Sequence, residues 1–163
     1  MKIDIHSHFF PLISQETAES IDAERTAWLK IDDQDPSKGM IMLNRKEFRP
    51  VYNALWDPDA RVKELDQEGI DVQIVCNTPV LFGYSWDAHA ARDWSQKMNE
   101  EAVKFCEKHP SRLKAFSQVP LQDLKMACEE ATRAKNLGCI GVQIGNHVGN
   151  KDLDHPDLVD FII

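Results

Sequence analysis

The chain has 163 residues, 42% of them hydrophobic, enough to bury the core of one domain of ordinary size. Nineteen Lys and Arg against 27 Asp and Glu leave a net charge of −8, which argues against a nucleic-acid partner, because phosphate binding relies on Lys and Arg. No apolar run approaches the ~20 residues that span a bilayer, so no membrane partner is expected. The chain also enters a strand at once, without the charged, apolar and small-residue regions of a secretory signal.

The first predicted element is that strand, in Asp4-Ile5-His6-Ser7-His8-Phe9-Phe10-Pro11. Side chains alternate between the faces of a strand. Asp4, His6 and His8 are therefore expected on one face, and Ile3 and Ile5 on a face covered by helices. The first of these faces carries a carboxylate and two imidazoles where core would be apolar. Two histidines at i and i+2, near a strand end closed by Pro11, can each offer a ring nitrogen to one divalent ion. The alternative is a solvent-facing pair at a frayed terminus.

A polar helix is expected over residues 14–28, anchored by Ile13, Ala18, Ile21 and Trp28. Two short strands follow, Trp28-Leu29-Lys30-Ile31 and Gly39-Met40-Ile41-Met42-Leu43, around the turn Asp35-Pro36-Ser37-Lys38-Gly39, in which Pro pre-sets φ and Gly tolerates φ > 0. This hairpin is an insertion at about residues 29–48, a flap over whatever the histidines face. Phe48-Arg49-Pro50-Val51-Tyr52 returns the chain to the body.

Asp57-Pro58 opens a helix as N-cap and first helical residue. Val62 and Leu65 mark its buried stripe, and Gly69 ends it. Residues 70–76 are almost continuously apolar, as a strand buried on both faces should be. A long helix over 85–108 buries Trp94, Met98, Ala102 and Phe105 at helical spacing; Trp86 and Trp94 are packing residues. Residues 113–119 form the next strand. Asp123 caps a helix whose inner face is Leu124, Ala127, Cys128, Ala131, Ala134 and Leu137. Residues 139–144 form a further strand leading to Gly145-Asn146-His147, and a last helix starts at Asp154 or His155. His89 and His109 read as solvated and His155 as a helix-start residue. Cys76, Cys106, Cys128 and Cys139 form no C-x-x-C pair and read as buried, reduced thiols of a cytoplasmic protein.

Strand and helix alternate four times with short capped connections, which predicts parallel βαβ units in an α/β fold. A doubly wound nucleotide-binding sheet would want a Gly-rich turn after its first strand, and His6-Ser7-His8-Phe9-Phe10-Pro11 has no glycine. In a (β/α)8 TIM barrel, chemistry collects at the C-terminal ends of strands, where His6 and His8 lie. A full barrel takes roughly 250 residues, and Phe161-Ile162-Ile163 lies inside a helical pattern. The reading is the first half of a (β/α)8 barrel: residues 1–163 as the N-terminal part of a single domain, with the C-terminal half absent.

Four stretches carry a resemblance: residues 3–11, Phe48-Arg49-Pro50-Val51-Tyr52-Asn53-Ala54-Leu55-Trp56-Asp57-Pro58, Thr78-Pro79-Val80-Leu81-Phe82-Gly83-Tyr84 and Gly141-Val142-Gln143-Ile144-Gly145-Asn146-His147. The chain resembles the amidohydrolase superfamily and, within its metal-dependent decarboxylase branch, the 2-amino-3-carboxymuconate 6-semialdehyde decarboxylases of tryptophan (kynurenine) or 2-nitrobenzoate catabolism. The resemblance implies a carboxy-lyase that uses one zinc ion and no organic cofactor. It makes His6 and His8 metal ligands, and assigns Arg49 to a carboxylate of a small dicarboxylate substrate. His147, after a barrel strand, is a candidate for the substrate or for a role behind the metal ligands. The catalytic histidine and remaining ligands lie outside this chain, which is therefore expected to be inactive alone; the full-length parent is a candidate homodimer. Two alternatives stand beside this reading. One is a metal-dependent hydrolase of the superfamily, whose binuclear members bridge two metals with a carboxylated lysine on the fourth strand; residues 139–144 contain none. The other is a truncated chain without catalysis.

Overall fold

The computed structural model describes residues 1–22 and 25–163. Its centre is a four-stranded parallel sheet in the order β1 (Ile3–Phe9), β5 (Val72–Asn77), β6 (Leu113–Ser117), β7 (Gly141–Val142). Parallel neighbours need crossover connections, and these carry the helices α2 (Pro58–Glu68), α3 (Ala88–Glu107) and α4 (Leu124–Leu137). This is the expected first half of a (β/α)8 barrel.

The helices start and stop where the sequence provides caps. Asp57 accepts from the Asp59 amide at 2.9 Å, Pro58 is the first helical residue, and Gly69 closes α2 at φ 66°. Asp87 caps α3 and Asp123 caps α4. One side of the sheet is sealed by Phe9, Val75, Leu113 and Ala115 against Leu65, Ala102 and Phe105 of the helices. Trp94, Met98, Ala102 and Phe105 are buried as their spacing predicts.

The excursion after β1 holds α1 (Gln15–Asp22) and an antiparallel sheet of β2 (Trp28–Ile31), β3 (Lys38–Leu43) and β4 (Lys46–Tyr52). The expected hairpin is β2 and β3; a third strand extends it to Tyr52. Asn44 and Arg45, at φ 54° and 58°, form the two-residue turn between β3 and β4. The expected helix over 14–28 ends at Asp22, its part at 23–24 lies outside the described residues, and Trp28 belongs to β2. Phe10, Ile13, Ala18, Leu29 and Ile41 pack this insertion onto Leu81, Trp94 and Met98 of the barrel.

Other expectations change. Ile3 and Ile5 are 48% and 66% exposed rather than covered by helices, because a shift in the β1–β5 register between Asp4 and Ser7 turns Asp4 to the helix side in their place. Cys128 and Leu137 point out of α4, and Glu130 takes an inner position at 1% exposure; the buried stripe runs Ala127, Glu130, Ala134. The strand expected over 139–144 is regular only at Gly141–Val142, although Ile140 and Gln143 still donate to Ala115 and Ser117 of β6. After it comes an unexpected small hairpin, β8 (His147–Val148) and β9 (Lys151–Asp152), turned by Gly149 at φ 61°. His155 then caps α5 (Pro156–Ile162), as a helix-start residue should. Among the described residues no helix is long and apolar enough to cross a membrane.

Candidate metal centre and substrate cavity

His6 and His8 sit at the C-terminal end of β1, and their ring centroids are 5.0 Å apart with planes at 82°. The expected pair therefore lies on one face. His6 is exposed and His8 half-buried. The His8 Nδ1 lies 3.3 Å from the Asn77 carbonyl oxygen. A carbonyl can only accept, so that nitrogen carries the proton and Nε2 keeps its lone pair for a ligand. Burial pulls the His8 pKa below 6.5, and the neighbouring His6 lowers it further; both favour the neutral ring that a metal requires. The Cys76 thiol donates to the Ser7 carbonyl at 3.0 Å, and burial pushes its pKa up to about 12, so it lies beside the pair as a neutral thiol.

Asp4 departs from its expected face. In the β1–β5 register Asp4 lies beside Gln73 and Ser7 beside Val75, so residues 5 and 6 together oppose Ile74 alone. This two-against-one bulge breaks the alternation. Asp4 is thereby turned to the helix side, where Gln73 Nε2 donates to its Oδ2 at 2.7 Å. Its Oδ1 accepts from the His6 amide at 3.1 Å. Arg61 of α2, only 8% exposed, donates through Nη1 to Gln73 Oε1 at 3.1 Å and through Nη2 to the His8 carbonyl at 2.5 Å. Burial lowers the Arg61 pKa, opposed by Glu64 and Asp4. None of these three roles was read from the sequence.

Arg49 and His8 line one cavity of about 330 Å³, with Arg61 and the apolar Ile41, Val51 and Leu55. The guanidinium of Arg49 lies 5.8 Å from the Phe48 ring centroid and has no hydrogen-bonding or ionic partner among the described residues. It is an uncommitted cation at the rim of a partly apolar space. His147 is not brought to this cavity. It is exposed on β8 and borders another, of about 360 Å³, with Arg25, Tyr84 and Trp86; its Nδ1 is 2.8 Å from Asn146 Oδ1. His89 is exposed as expected. His109 is half-buried instead of solvated, with Nε2 2.7 Å from Asp59 Oδ1. Among the described residues no three His, Cys, Asp or Glu side chains are grouped to hold a metal.

A half-barrel of parallel βα units, with paired imidazoles at the C-terminal end of its first strand, belongs to the class of (β/α)8 proteins whose chemistry sits at that end. The amidohydrolase family model matches residues 3–162, and the chain belongs to that family. It is 31% identical over 159 residues to 2-amino-3-carboxymuconate-6-semialdehyde decarboxylase of Dictyostelium discoideum, covering 97% of this chain and 44% of the relative. It is also similar to the apo structure of Metarhizium anisopliae IDCase, with a TM-score of 0.74 and 22% identity, over 98% of this chain and 46% of that one. A second solved structure is dihydroxybenzoic acid decarboxylase from Polaromonas sp. JS666, with bound manganese and the inhibitor 2-nitroresorcinol. There the TM-score is 0.67 and the identity 22%, over 99% of this chain and 45% of that one. These two likenesses show the fold. The chain spans about half the length of the relatives it matches.

Proposed function

We propose that residues 1–163 are the N-terminal part of a single barrel domain, and that the full-length protein is a zinc-dependent, non-oxidative decarboxylase. Its substrate in this reading is 2-amino-3-carboxymuconate 6-semialdehyde, converted with loss of CO2 to 2-aminomuconate 6-semialdehyde in tryptophan/kynurenine or 2-nitrobenzoate catabolism. The observation that carries the reading is the single cavity bordered by His8, next to His6, and by the uncommitted Arg49. The full-length protein would work in the cytoplasm as a homodimer.

The donor set fits a divalent ion: two neighbouring imidazoles, one with its Nδ1 proton fixed on a carbonyl. Imidazole suits zinc, although the Polaromonas enzyme's structure contains manganese. His6 and His8 would hold the ion, which would supply Lewis acidity and a bound water with a pKa lowered toward ~7. The protein's own part is binding and orientation. Arg49 can grip a substrate carboxylate through two N–H groups, and its exposed position makes it an entry-side anchor. Ile41, Val51 and Leu55 would cover the conjugated carbon chain and keep water from it, which strengthens the charged contact. His147, which borders a different cavity, remains a candidate for a substrate contact or for a role behind the metal ligands.

Two imidazoles leave an ion mostly to water, whereas protein zinc sites normally have at least three protein ligands. The 163-residue chain alone should therefore bind zinc weakly and not turn over. The test compares this chain with the full-length protein, measuring zinc per chain and loss of the substrate's conjugated absorbance. About one zinc and turnover in the full-length protein, abolished by His6→Ala or His8→Ala, is expected. Turnover that survives both substitutions would refute the assignment, and parent-like zinc and turnover in the short chain would refute the need for a second half.

A further inference from the structure

The metal reading leaves unexplained a set of linked polar groups behind His6 and His8, of which Gln73 and Arg61 are buried and Asp4 is half-buried. They form a continuous hydrogen-bonded path with both ends on the ligand-bearing backbone. The His6 amide donates to Asp4 Oδ1 at 3.1 Å, and Gln73 Nε2 donates to Asp4 Oδ2 at 2.7 Å. Arg61 Nη1 then donates to Gln73 Oε1 at 3.1 Å, and Arg61 Nη2 to the His8 carbonyl at 2.5 Å. Every orientation in the path is forced. The carboxylate can only accept and the guanidinium can only donate, so the Gln73 amide has one possible direction. Gln73 and Arg61 are 6% and 8% exposed, which makes each lost partner costly.

The path spans the bulge. Between Asp4 and Ser7 the β1–β5 ladder loses its regular register, and the two residues opposing Ile74 include His6. An extra residue in a strand bends it and re-aims the side chains on either side. Without a fixed bulge, the aim of His6 relative to His8 would be free to change. We infer that Asp4, Gln73 and Arg61 are positioning residues: they lock the β1 bulge so that the imidazoles of His6 and His8 converge on one divalent ion. The inference rests on the metal reading above. It gives Asp4 a role that face-sharing alternation would not: a backbone brace on the helix side, with both oxygens occupied, instead of a ligand.

The brace is tested with cobalt(II) as probe ion in the full-length protein. Affinity is read by chelator competition, ion geometry by the visible absorption of the bound cobalt, and fold by the melting of the metal-free protein. Gln73→Met keeps the volume and removes both contacts. It should weaken cobalt binding by about 10- to 100-fold, as loss of a partner behind a metal ligand does, and alter the visible band. Asp4→Asn retains one of the two acceptor contacts and should fall between Gln73→Met and wild type; it carries the test if Gln73→Met does not fold. Cobalt affinity within twofold of wild type and an unchanged band in both variants would overturn the inference, even with a lowered melting temperature, because the brace would then be structural only. The metal reading fails in a different way: wild type and His6→Ala would bind cobalt alike, which would sink both claims.

Discussion

Replacing Arg49 by alanine separates a substrate anchor from a structural residue. The side chain is exposed, lies against Phe48, and has no ionic partner among the described residues. Its removal leaves no buried group unsatisfied, so the folding free energy should stay within ~0.5 kcal/mol of wild type. If Arg49 holds a substrate carboxylate, the variant loses a charge-assisted hydrogen bond worth roughly 1.5–3 kcal/mol. At about 1.36 kcal/mol per factor of ten, kcat/KM should fall roughly 13- to 160-fold. The loss should appear mainly in KM, because a carboxylate gripped equally in ground and transition states contributes uniform binding. Arg49→Lys should recover part of it, since the charge remains and the two-pronged fork is lost. The assay follows the decay of the substrate's conjugated absorbance over a range of concentrations, at low and raised salt. Wild-type KM should rise with salt and that of Arg49→Ala should respond less, because an exposed charge is screened. An unchanged kcat/KM in Arg49→Ala would refute the reasoning.

Two further outcomes concern the scaffold. Glu130, with a fully buried side chain, accepts from Asn99 Nδ2 at 2.7 Å and from Arg133 Nε at 2.8 Å, so Glu130→Ala should cost about 3 kcal/mol, the lower end for a broken buried pair because Arg133 is partly solvated. Thermal unfolding followed by circular dichroism should then show a fall of roughly 6–12 °C, and a loss below ~1 kcal/mol would contradict the buried-pair argument. Burial pushes the thiols of Cys76 and Cys106 up to about 12 and that of Cys139 to about 11, while Cys128 is exposed. A thiol reagent at pH 8 should modify Cys128 quickly in the native chain and all four after unfolding; fast labelling of a second cysteine would show that the core is open.

Much of this was legible because it was local. The helix from Pro58 to Glu68 carries its own start and stop in Asp57, Pro58 and Gly69, and α3 carries its buried stripe in Trp94, Met98, Ala102 and Phe105. The histidine pair needed only the two-residue period of a strand. The strand β4 was hidden by its turn. Asn44 and Arg45 both adopt positive φ without a glycine, and Lys46, Glu47, Arg49 and Pro50 lack the β-branched, alternating pattern of a strand. The hairpin at Gly149-Asn150 did carry a turn signal, but strands of two residues show no period to read. On α4 an alternative stripe through Leu124, Cys128, Ala131 and Leu137 was just as apolar. The observed face instead carries Glu130, paired with Asn99 of α3 and with Arg133 one turn further along α4.

The bulge is the feature that sequence could not supply, because it is a property of two strands and not of one. Within β1 alone, Asp4, His6 and His8 share parity, and a carboxylate with two imidazoles is a plausible three-ligand set. Counting β1 against β5 shows three steps from Asp4 to Ser7 opposite two from Gln73 to Val75. That difference moves Asp4 to the helix side, where the His6 amide and Gln73 occupy its oxygens. The imidazoles stay together at 5.0 Å. In the proposed metal site, the same shift that takes Asp4 away from His6 and His8 would turn it from a third ligand into a brace for the two imidazoles.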